Sequence, residues 1–153
     1  ARRPPAEARV VDFGIRGLDL AYALLDGYEA VVLVDATPRG GAPGAVYVLE
    51  VDAAATVAPE DMGVAVQAHS LDPVQVLRLA GTMGATFGRL LLVGCEPSPI
   101  EGEDDMRDGL SPAVAAAVDE AVVAVESLVD RLLRGESVVA IENRVRTEEE
   151  VER

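Results

Sequence analysis

Two side chains in this sequence, Asp35 and His69, have the chemistry to hold a metal ion or move a proton at a defined place, and Glu96 is a further carboxylate at a strand end. Asp35 closes the apolar run Val31-Val32-Leu33-Val34, and Glu96 follows Leu90-Leu91-Leu92-Val93-Gly94-Cys95. Each run puts a carboxylate at the carboxyl end of a strand, where ligands collect in open α/β sheets. His69, the only histidine, lies in QAHSLDP, just ahead of a helix start. A carboxylate oxygen and an imidazole nitrogen together suit zinc, nickel or iron. Two ligands do not complete a site, so Asp35 and His69 need a third donor from elsewhere in the chain or from the substrate. Each residue also has a plainer reading. Asp35 can cap a turn, His69 can be a hydrogen-bonded loop residue, and Cys95 at a strand end reads as core. Ser70 sits beside His69, but adjacency in sequence does not give a nucleophile its base.

The remaining motif space is empty. No HExxH, paired CxxC, Walker A or GxSxG sequence is present. Gly40-Gly41 with Gly44 makes a poor phosphate loop, because it carries no lysine and leads into a strand. Twenty-seven acidic residues stand against 13 basic ones, all arginine, for a net charge of -14. That balance argues against nucleic acid or an anionic membrane as partner, since both demand basic surface. Small molecules, metal ions and proteins are left. A single cysteine rules out an internal disulfide and suits a reducing compartment. No apolar run approaches the roughly 20 residues that span a bilayer, and ARRPPAEAR has no signal-peptide core. The expectation is a cytoplasmic protein of one domain over residues 1–153, with 1–9 and 143–153 flexible.

The elements that must position these residues follow from periodicity and punctuation. Val10 and Val11 open a short strand, and Gly14 and Gly17 bracket the turn after it. Leu18, Leu20, Ala21, Leu24 and Leu25 have helical spacing up to a stop at Gly27. The 31–34 run is too continuously apolar for a half-exposed strand and predicts a central parallel one. After the turn cluster 38–44, Val46 to Leu49 predict a strand antiparallel to its predecessor and near an edge, because the connection is short. Residues 52–63 read as a surface loop. Asp72 as N-cap and Pro73 as first residue start a helix that carries Val76, Leu77, Leu79 and Ala80 inward. Residues 90–95 form a second buried strand, and 101–108 an acidic loop. Ser111-Pro112 starts the longest helix, running to about Leu133 and stopped by Gly135. Its apolar stripe is Val114, Val118, Ala121, Val122, Val125, Leu128, Val129 and Leu132. Alternating strands and helices predict a three-layer α/β/α sandwich around a mostly parallel twisted sheet.

Taken in order, VVDFGIRGLDLAYALLDGYEAVVLVDATPRGGAPGAVYVLE, AHSLDP, LLLVGCEP and GLSPAV resemble the hydrogenase maturation proteases. These endopeptidases trim the C-terminal extension from the large-subunit precursor of nickel-iron hydrogenases. The resemblance covers about residues 9 to 130, with VDFGIRG where many members have a Gly-Gly-Thr turn. It implies that Asp35 and His69 match the family's strand-end carboxylate and its histidine before a helix, which bind metal with a third, acidic ligand. It implies that this metal is nickel already seated in the precursor, with no organic cofactor. Nickel then reports that the precursor is loaded, and polarises the scissile carbonyl. Glu96, in the family's Gly-x-Glu-Pro pattern, and the Gly14-Gly17 turn shape the cleft without a catalytic role. The family's opening strand, with its Gly-x-Gly-Asn segment and a following acidic ligand, has no match here. The expectation is that residues encoded upstream of Ala1 supply both. The competing reading is a non-catalytic binding or chaperone-like module that holds the precursor without cutting it. A third reading is a small-molecule α/β enzyme using the 40–44 turn.

Overall fold

The computed structural model of the chain describes residues 3–51, 73–99 and 109–138. Their elements are α1 (Gly17–Ala23), a 3-10 turn (Leu24–Asp26), β1 (Tyr28–Ala36), β2 (Val46–Val51), α2 (Pro73–Thr82), β3 (Phe87–Cys95) and α3 (Pro112–Leu133). The chain falls into two compact units, one of Ala1–Val31 with Val51–Leu90 and the other of Val32–Glu50 with Leu91–Arg153.

In the first unit α1 packs on α2. Ala21 and Leu24 are buried from one side and Val76, Leu77 and Ala80 from the other, at the helical spacing the sequence displays. The start at Pro73 holds; the proposed cap, Asp72, lies outside the described residues. The short strand expected at Val10 and Val11 does not form. Both valines are exposed, and two β-branched residues without a paired neighbour bury too little to offset the ordering of the backbone.

In the second unit the strands share a common end. Just beyond β1 and β3 the Thr37 N–H donates to the Cys95 carbonyl (3.1 Å), so these two strands finish level and run parallel. At the same end the Glu96 N–H donates to the Ala45 carbonyl (2.9 Å) and the Gly44 N–H to the Glu96 carbonyl (2.8 Å). There β2 begins, so it runs antiparallel to β3. The described sheet has the order β1-β3-β2. Its character is therefore mixed rather than mostly parallel, in a mixed α/β fold with a small sheet and three helices.

The order also corrects the place of the 31–34 run. Among the described strands β3 is central and β1 lies at an edge, with Val34 61% exposed. A continuous apolar run shows that a strand is extended and apolar on both faces, but not how many neighbours it has. The expectation for β2 holds: it takes the other edge, antiparallel to β1.

One face of this sheet carries the core. Val46 and Val48 of β2 alternate inward with Leu91 and Val93 of β3, and α3 covers them with Ala117 and Leu128. Each fully buried leucine or valine here contributes about 1.5–3 kcal/mol. Ser111 caps α3 by accepting the Val114 N–H (3.3 Å), with Pro112 at the first helical position, and the helix ends at Leu133. Its packing face is narrower than the sequence stripe. Ala117, Ala121, Ala124, Val125, Leu128 and Leu132 meet the core, whereas Val118 and Val122 are exposed. The alanines let α3 approach the sheet closely, and the valines one position along rotate past the contact.

Candidate active site

Two neighbouring parallel strands end on carboxylates, and the structure treats them in opposite ways. Asp35 is the penultimate residue of β1 and is exposed. One of its oxygens accepts the N–H of Ala36 at 2.9 Å. That bond fixes the rotamer and leaves the second oxygen without a hydrogen-bond partner among the described residues.

Glu96 directly follows β3 and is only 5% exposed. Its Oε2 accepts the backbone N–H of Arg39 (2.8 Å), and its Oε1 accepts that of Gly40 (3.2 Å). The Arg39 N–H chiefly, with those of Gly41 and Gly40 and the Arg39 guanidinium, holds this carboxyl below the usual glutamate range against the cost of burial. Successive amides converge on one anion because Gly40 takes φ +79°, which turns the chain back as a nest. The Glu96 main chain holds the far end of the same loop through Gly44 and Ala45. Residues 37–45 are thus tied to a single residue at the end of the central strand.

Beneath that loop lies Tyr47. Its hydroxyl donates to the Thr37 carbonyl at 2.6 Å. Burial pushes the phenol pKa up, against the Thr37 hydrogen bond and the Arg39 charge, so the group stays a donor at neutral pH. Its ring lies across Gly94, where any Cβ would overlap it. On the ring sits the Arg39 guanidinium, 4.9 Å from the centroid. Cys95 packs against the core, and burial first, then the charges of Glu120 and Glu96, push its thiol up. It therefore remains a neutral thiol and not a nucleophile at neutral pH.

Of the residues singled out by sequence, Asp35 and Glu96 are thus placed at one end of the sheet. His69 and Ser70 lie outside the described residues, as does the acidic loop at 101–108. Among the described residues no group of three or more His, Cys, Asp and Glu side chains could hold a metal ion. Arg39 and Tyr47 carry no motif and escaped notice. The only trace in sequence is an arginine followed by glycines, at a turn that leads into a strand with an aromatic second residue. In the first unit an open hollow lined by Gly27, Tyr28, Glu29, Thr86 and Gly88 contains none of the candidate residues.

The described residues thus form a mixed α/β domain with an exposed carboxylate at one strand end, beside a buried one that fastens the adjoining glycine-rich loop. The family model for hydrogenase maturation protease matches residues 1–128, and the chain belongs to that family. Its fold is similar to that of the hydrogenase maturating endopeptidase HybD from Escherichia coli, with a TM-score of 0.58 and 23% identity over 90% of this chain and 77% of that one. It is similar also to the solution structure of an endopeptidase from Escherichia coli, with a TM-score of 0.54 and 21% identity over 87% and 75% of the two chains. No curated protein sequence matches the chain closely. No helix among the described residues is long and apolar enough to cross a membrane.

Proposed function

We propose that this protein is the endopeptidase that removes the C-terminal extension of a nickel-iron hydrogenase large-subunit precursor once nickel has been inserted. The observation that carries the reading is the family match over 1–128, and the exposed Asp35 carboxylate with one oxygen open at the strand end fits it. In this reading Asp35 and His69 offer an oxygen and an imidazole nitrogen to nickel that arrives with the precursor. The ion is part of the substrate, and no organic cofactor takes part. Only loaded precursor supplies the ion, so only loaded precursor is gripped. Nickel polarises the scissile carbonyl, water adds to the carbon, and the C–N bond breaks as the leaving amine takes a proton. The proposed setting is the cytoplasm, where precursor and protease meet.

Incubation of the full-length protein with nickel-loaded precursor should release the C-terminal peptide, detected by mass spectrometry. Nickel-free precursor should stay intact. If the precursor associates with the protein but is never shortened under either condition, the protein is instead a non-catalytic holding module. Because an imidazole must be neutral to bind nickel, cleavage should weaken as the solution is made acidic.

A further inference from the structure

We propose that Arg39 is a specificity-determining residue that takes a carboxylate of the client polypeptide close to the bond that is cut. The inference rests on the endopeptidase reading for its substrate, and on the geometry of the 37–45 loop for its content.

The guanidinium stands on a built platform. Gly94 forms the floor, the Tyr47 ring lies flat across it, and the Arg39 guanidinium caps the ring. The Tyr47 hydroxyl is tied to the Thr37 carbonyl, and the Arg39 N–H to Glu96, so the layers are pinned from both sides. A cation–π contact of this kind uses the charge and not the N–H donors, so the five donors of the guanidinium are not consumed by the ring. The nearest acid is consumed: Glu96 gives its oxygens to backbone amides. Arg9, Arg16, Arg131 and Arg134 each pair with a carboxylate, and none of these pairs involves Arg39. In a chain with twice as many acids as bases, Arg39 is an exposed cation whose acidic neighbour among the described residues, Glu96, attracts it through space while giving its oxygens to backbone amides.

A fork of N–H donors in one plane matches the two oxygens of a carboxylate. Arg39 is four positions along the chain from Asp35, and four extended residues reach about 14 Å at most. A carboxylate held by Arg39 therefore lies within about four residues of the peptide bond presented at Asp35. The protein as a whole, at -14, repels acidic chains. A single cation in that field selects the position of an acid rather than attracting acidic polypeptides in general.

The test compares wild type, R39Q, R39M and R39K on nickel-loaded precursor, reading KM and kcat for peptide release, and Kd for the precursor by calorimetry. R39Q and R39M should raise KM and Kd about tenfold with kcat within a factor of two, and R39K should restore only part of the loss. Two altered precursors locate the carboxylate, one with the Asp and Glu residues flanking the cleavage point changed to amides and one with an amidated C-terminus. The Arg39 effect should vanish on whichever of the two removed the acid that it binds. Unchanged KM and Kd in R39Q and R39M, or an effect that persists undiminished on both altered precursors, overturns the proposal. Failure of the endopeptidase reading looks different, because wild type then leaves the precursor intact while Kd still reports on Arg39.

Discussion

Asp35 and Glu96 occupy equivalent places, each at the carboxyl end of one of two adjacent parallel strands, yet they do opposite work. Asp35 spends one oxygen on the next amide in the chain and keeps the other accessible. Glu96 is buried and accepts the N–H groups of a loop 56 and 57 residues away in sequence. A carboxylate with an open oxygen can meet a ligand, whereas one saturated by amides is architecture. The lesson is that position at a strand end nominates a carboxylate and its hydrogen-bond partners decide what it is for.

That contrast can be broken from either side. The largest effect is expected for the pair proposed to hold nickel: if Asp35 and His69 grip the ion, D35N combined with H69A should cut peptide release on the order of a thousandfold. The melting temperature of D35N alone should not move, because the side chain is exposed. Glu96 should behave in reverse. E96A removes the acceptor shared by the loop amides, so the melting temperature should fall by several degrees and limited proteolysis should cut within 37–45. E96Q, which keeps one carbonyl oxygen, should fall less. Either change leaving the loop as protected as in wild type would show that the amides find other partners.

A third test separates the loop from the sheet that supports it. L91A removes a fully buried side chain from the central strand and should cost about 2–5 kcal/mol in urea unfolding. The fourth uses pH. The folded-state pKa of Glu96 lies below its unfolded value, so its stabilisation is fully present above the unfolded value and is lost as pH falls through the folded one. As pH falls through and below the ordinary glutamate range, wild type should lose more stability than E96Q, as thermal melts would show. The smallest effect is expected from S111A, which deletes the cap of α3 and should cost about 1 kcal/mol without changing peptide release.

Much of the frame was legible beforehand. The α3 boundaries came from Ser111-Pro112 and Gly135, whose roles depend only on neighbours along the chain. The helix starting at Pro73 followed for the same reason, and the apolar run 90–95 marked most of the strand that the structure extends back to Phe87. The errors all concern partners. Val10-Val11 looked like a strand and pairs with none among the described residues, the 31–34 run looked central and lies at an edge of the described sheet, and Val118 and Val122 looked buried and face solvent. The same limit hid Arg39 and Tyr47. Their significance lies in a stack on Gly94, and Gly94 is 55 and 47 residues away from them.

What the sequence by itself determined is the local alphabet: which stretches extend, which coil, where they stop, and that carboxylates stand at two strand ends. Motif order also carried the family, since it survives without any knowledge of contacts. Only the tertiary structure decided which carboxylate is saturated and which is open, and that an unremarkable arginine rests on a tyrosine above a glycine. Hydrogen-bond saturation and stacking are properties of groups brought together from distant parts of the chain, and no local periodicity encodes which distant groups will meet.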